Sequence, residues 1–84
     1  MTRQQVDEWA DSSGESLILY DGLDHAIVGI GQRFNAYFVI YDLHKVIRGL
    51  VRGGLSREEA LEHFDFNIVG GWVGDSTPCF LSRS

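Results

Sequence analysis

Read for hydrophobic and polar positions, the chain divides into short segments whose periods change several times. Leu17-Ile18-Leu19-Tyr20 is an apolar run of strand length, and Asp21-Gly22-Leu23-Asp24 after it has turn chemistry. Ala26 to Phe34 reads as a second strand, weakened or bulged at Gly29 and Gly31. Asn35-Ala36 then reverses the chain into Tyr37-Phe38-Val39-Ile40-Tyr41. This unbroken run of β-branched and aromatic residues is expected to form a central strand buried on both faces. These runs predict an antiparallel meander.

The period then lengthens. Leu43, Val46, Ile47, Leu50 and Val51 recur on one helical stripe, with Asp42 as its cap and Gly53-Gly54 as its end. Leu55-Ser56-Arg57-Glu58-Glu59-Ala60 carries a capping box, Ser56 with Glu59, and a hydrophobic staple of Leu55 on Ala60. The second helix is expected to reach about Phe64, with Ala60, Leu61 and Phe64 inward. Beyond Asp65 the pattern breaks around Gly70, Gly71 and Gly74, until Thr77 to Leu81 reads as a last strand held near an edge by Pro78. In this reading the glycine-rich stretch is a tight closure that returns Trp72 and the last strand to the sheet, with Trp72 expected to be buried.

At the other end, Thr2 to Ala10 has the spacing of a short helix, with Val6, Trp9 and Ala10 on one side. Asp11 to Ser16 reads as a polar linker. The organisation expected is therefore an arm and linker over residues 1–16, followed by one domain over 17–84. The fold class is α+β: a small antiparallel sheet of three to four strands with two helices on one face, plus a short N-terminal helical arm.

Composition narrows the function. An apolar content of 44% is ample for one core, whereas a chain of 84 residues leaves little volume for a deep enclosed active site. The net charge of −5 opposes direct nucleic-acid binding, which needs cations to displace phosphate counterions. It suits docking on a protein or nucleoprotein with a basic surface. One cysteine excludes an internal disulfide and paired-cysteine zinc sites. No apolar stretch has the length of a membrane span and the N-terminus lacks a signal-peptide core, so a cytoplasmic protein without membrane association is expected.

Candidate chemistry is sparse. The turn of Asp21, Asp24 and His25 is the one place where metal binding or hydrolysis has residues to use, if Cys79 or Asp42 converges on it. His25, His44 and His63 have no ligand spacing, and Cys79 between Pro78 and Phe80 suits a buried hydrophobe. Gly29-Ile30-Gly31 lacks the third glycine of a dinucleotide loop, and Gly70-Gly71-Trp72-Val73-Gly74 lacks a phosphate-loop lysine. No catalytic, cofactor-binding or metal residue is therefore assigned. Positive charge gathers at Lys45, Arg48 and Arg52, and negative charge at Glu58, Glu59, Glu62 and Asp65 and on the arm. That asymmetry fits orienting a partner or pairing two copies. The candidate protein-binding residues are Trp9, Asp21, Asp24, Glu58, Glu62 and Trp72. A structural or regulatory homodimer built through the arm around Trp9 is the remaining alternative.

The segments Tyr20-Asp21-Gly22-Leu23-Asp24, Ala26-Ile27-Val28-Gly29, Ile40-Tyr41-Asp42, Leu55-Ser56 with Glu58-Glu59-Ala60, Phe66-Asn67, Gly71-Trp72-Val73-Gly74 and Thr77-Pro78 together resemble a family of small uncharacterised proteins encoded by phages and prophages. The resemblance covers Leu17 to Leu81. It implies no catalytic residue. It implies a small protein that binds a host protein in the host cytoplasm, with an anti-CRISPR-like inhibitor of a host defence complex as one form of that action.

Overall fold

A computed structural model describes residues 1–69 and 71–83 of the chain. The fold is α+β. In chain order it contains helix α1 (Arg3–Ser13), a 3₁₀ turn (Asp24–Ala26), strands β1 (Ile27–Arg33) and β2 (Ala36–Asp42), helices α2 (Leu43–Arg52) and α3 (Arg57–His63), a π-helical segment (Phe64–Val69) and strand β3 (Cys79–Leu81). Gly70 of the glycine run lies outside the described residues.

The sheet is three-stranded in the order β1-β2-β3, so the apolar run of Tyr37 to Tyr41 is central as expected. β1 and β2 form an antiparallel hairpin, with a bulge between Ile27 and Gly29. The reversal is a two-residue one at Phe34-Asn35, since Arg33 pairs with Ala36. β3 returns parallel to β2, pairing Cys79, Phe80 and Leu81 with Ile40, Tyr41 and Asp42. The sheet is therefore mixed, because two helices and a loop separate β2 from β3 and carry the chain back to the level of Ile40, from which it runs in the direction of β2.

One face of the sheet holds the core. Val39 and Tyr41 are fully buried there and join Val6 of α1, Val46 and Ile47 of α2, and Ala60 and Phe64 at the α3 end. Ala60, Phe64 and Ile68 recur every fourth residue and supply this packing. Leu61 falls one position off that line and is 43% exposed, contrary to its expected inward place. By alternation along β2, Phe38 and Ile40 lie on the opposite face and are only partly buried. Burial on both faces was expected of this strand; the helices cover one. On the open face the Phe38 ring lies over Gly31, where a Cβ would stand 2.6 Å from that ring and 3.1 Å from Ile40 Cδ1, so a larger residue there would have to displace both side chains.

Two segments differ from expectation. Leu17 to Tyr20 form no strand; Leu17, Leu19 and Tyr20 instead lie irregularly against the core. The Tyr20 N–H goes to the Tyr41 hydroxyl, 3.0 Å away, rather than into a ladder. The N-terminal helix also runs three residues beyond Ala10, to Ser13, and ends on Gly14 at φ 74°. Half of the expected linker is thus helical. Thr2 and Gln5 close a capping box at its start. Val6 is fully buried and Arg3 pairs with Asp24 at 3.5 Å, so α1 is seated on the domain. Among the described residues no helix is long and apolar enough to cross a membrane.

Asp42 joins sheet to helix. Its Oδ1 accepts from the Lys45 N–H at 3.0 Å, and its Oδ2 lies 3.6 Å from Arg83 Nε. The Lys45 hydrogen bond, with help from the Arg83 charge, holds this buried carboxyl below its ordinary range against the opposing effect of desolvation. A depressed carboxyl stabilises the fold above its unfolded pKa, and that stability is lost as pH falls through the folded value. Asp42→Ala is expected to lower the melting temperature by about 4–8 °C at neutral pH, the size of a lost helix cap. Asp42→Asn keeps an N-cap acceptor and should lose much less, while flattening the melting profile below pH 4. Melting curves of the three proteins between pH 2 and 7 read both effects.

Candidate interaction groove

The feature with the clearest capacity for recognition lies at the open end of the β1–β2 hairpin. The bend is held by backbone geometry and one side chain. Phe34 has φ 54°, a left-handed conformation that a bulky residue adopts at a cost. Its carbonyl accepts from Gln32 Nε2 at 2.9 Å. The ring gains nothing from the fold in return, being 90% exposed.

Facing this tip is the loop that leads to β3. Thr77 ties it together: its Oγ1 donates to the Gly74 carbonyl at 2.6 Å and accepts from the Val73 N–H at 2.9 Å. Its own N–H also bonds to the Gly74 carbonyl, at 3.1 Å. Gly74 takes φ 110°, which only glycine adopts without strain. The next residue but three, Pro78, is buried and anchors the loop to the body. Trp72 and Val73 are left 66% and 60% exposed. The expected burial of Trp72 is thus overturned, because the Thr77 clasp and the buried Pro78 satisfy the closure without it.

Between hairpin and loop lies a groove of about 740 Å³, lined by residues 33–36 and by Trp72, Asp75 and Ser76. Two large exposed aromatics form its apolar part. Arg33 and Asp75 give it one charge of each sign, and the Arg33 guanidinium also stands 5.9 Å from the Phe38 ring centroid. Nothing in the lining pairs a nucleophile with a base.

The other candidate residues occupy different places. Trp9 is partly buried, its ring 5.1 Å from that of Tyr37. Asp24, paired with Arg3, precedes β1, about 20 Å from the groove end of that strand at ordinary strand rise. Asp21 is exposed in the adjoining turn. Glu58 and Glu62 are exposed on α3 and line no part of the groove. Of the six candidates, only Trp72 belongs to it. Phe34 was missed by the sequence reading, and its signal was available: a bulky residue directly before Asn, where a hairpin turn favours glycine.

The residues of the metal or hydrolytic alternative are committed elsewhere. His25 Nε2 lies 3.2 Å from the Lys45 carbonyl, Asp24 pairs with Arg3, and Asp42 caps α2. Cys79 is exposed on β3, not buried, because its neighbour Phe80 takes the core side and packs edge-on to Phe64 at 4.7 Å. Among the described residues no group of three or more His, Cys, Asp or Glu is placed to hold a metal ion. Compared with known proteins, the chain matches no family model, no curated protein and no solved structure.

Proposed function

We propose that this protein is a non-enzymatic binding module that docks on another protein through the groove between the Phe34 tip and the Trp72 loop. The observation that carries the reading is the pair of exposed aromatics, Phe34 and Trp72, presented by two hydrogen-bonded turns around one groove. Apolar area of this kind is costly to leave in water, and Trp is among the side chains that most often anchor interfaces. The strained backbone at Phe34 adds to it, since such strain is retained where it serves a site. The net charge of −5 favours a partner with a basic surface. The sequence resemblance to phage and prophage proteins favours a bacterial host target, and obstruction of a basic face on a host defence complex is the action that fits both.

The test is comparative capture. Wild-type protein and Trp72→Ala, immobilised at equal density, are exposed to bacterial lysate at low and moderate salt. A protein retained by the wild type and depleted about tenfold on the variant is expected, the effect of losing one interface anchor. Equal retention of every captured protein on both columns would remove the groove from the mechanism.

A further inference from the structure

We infer that the outer edge of β1 accepts an extended basic segment of a partner protein as a fourth strand of the sheet. The inference rests on the protein-binding reading above and adds a second, chemically distinct contact to it. β1 is a seven-residue edge strand, paired with β2 on one side only. Along its other side, among the described residues, the backbone groups with a partner are both on Ile27, whose carbonyl accepts from the Met1 amino group at 3.1 Å and whose N–H donates to the Asp24 carbonyl. From Val28 to Arg33, every second residue therefore directs an unpaired N–H and C=O outward, a pattern that only another strand matches.

Edges of this length are ordinarily blunted by lysine, proline, a bulge or a covering element. β1 has no lysine and no proline, and its bulge sits at the Ile27 end, leaving Gly29–Arg33 in regular register. The opposite edge, β3, is only three residues long and offers little to pair with. The glycines of β1 are also unlike one another. The Phe38 ring fills the place of a side chain at Gly31, whereas a Cβ on Gly29 would meet nothing within 4 Å. Gly29 pairs with Ile40, so a large apolar side chain on an added strand has open space across the bare backbone toward Ile40.

Charge decides between a foreign strand and a second copy. α1 packs against β1 and carries Glu8 and Asp11 exposed, together with Asp7, which pairs with Arg3 at 3.5 Å. Two copies joined edge to edge would bring two such acidic helices alongside each other. A strand with apolar residues on one face and lysines or arginines on the other meets no such repulsion and complements α1.

The probe is a capped hexapeptide of alternating valine and lysine, added to the isotope-labelled full-length chain and followed by amide hydrogen exchange. At saturation the outward amides between Val28 and Arg33 are expected to exchange about tenfold more slowly, as newly bonded amides do. The same peptide N-methylated along one edge should give no protection, and a valine–glutamate version less. Equal binding of the N-methylated peptide would overturn the inference, as would protection confined to Phe34 and Trp72, which would leave the groove reading standing alone. Protection of Val28–Arg33 without peptide, growing with protein concentration, would assign the edge to a second copy and also overturn it. Peptide addition at β1 with unchanged capture by Trp72→Ala would retain the edge and remove the groove.

Discussion

Tyr41→Ala is expected to cost about 3–5 kcal/mol, a large share of the roughly 4–12 kcal/mol that a domain of this size possesses. Among the described residues Tyr41 is the largest side chain that is fully buried. It lies on the central strand, paired with Ile27 of β1 and Phe80 of β3, so truncation opens a void where all three strands meet. Its ring centroid stands 5.8 Å from those of both Tyr20 and Phe80, and Phe80 passes the packing on to Phe64. The hydroxyl has a separate role in accepting the Tyr20 N–H, which fixes a segment that has no strand partners. Tyr41→Phe isolates that role and should cost only about 1 kcal/mol, the size of one lost hydrogen bond. Urea titrations of the two variants separate packing from hydrogen bonding, and equal losses would refute the assignment.

The same hydroxyl makes the fold sensitive to alkali. Burial pushes the Tyr41 pKa above its ordinary value of 10.0, and the hydrogen bond from the Tyr20 N–H offsets part of that rise. Tyr20 is also raised by burial. A raised pKa means the folded chain holds its proton more tightly than the unfolded chain. The stability involved is complete below pH 10 and is lost as pH rises through the folded value. Melting temperatures should therefore decline above pH 10, and Tyr41→Phe should show a shallower decline than the wild type.

What the sequence displayed openly was whatever local chemistry decides. The Ser56–Glu59 capping box, the Asp42 cap and the central place of Tyr37 to Tyr41 all appear as read, because each is fixed by residues within a few positions of one another. The bulge near Gly29 belongs to the same class. Leu17 to Tyr20 looked like a strand because apolar runs of that length serve equally in ladders and in irregular core linings. Only the distant Tyr41 hydroxyl decides between them. The parallel pairing of β3 likewise depends on where α2 and α3 deliver the chain, which no local pattern records. Trp72 was the harder case. Hydrophobicity argues for burial, and the Thr77 clasp that removes the need for it is a polar contact of the neighbouring Val73 with a residue five positions beyond Trp72.

The double variant Phe34→Gly/Trp72→Ala should be a better-folded protein that no longer binds. At position 34 the wild-type backbone holds a bulky side chain at φ 54°, at a cost on the order of 1–2 kcal/mol relative to a residue free to adopt it. Glycine removes that cost and creates a Gly-Asn turn suited to a two-residue hairpin. Some of the gain is returned as extra entropy of the unfolded chain, leaving about 0.5–1 kcal/mol of net stabilisation. Little packing is lost, since the Phe34 ring is 90% exposed and Trp72 is 66% exposed. If the groove is the docking site, the two anchors act together and their removal should weaken the captured partner's affinity about a hundredfold. Stability and affinity therefore move in opposite directions, which general unfolding cannot imitate. A variant that melts at or above the wild-type temperature yet fails in titration calorimetry against the captured partner meets the expectation. One that melts lower shows Phe34 and Trp72 to be supports of the fold, and one that binds with undiminished affinity places the docking surface elsewhere.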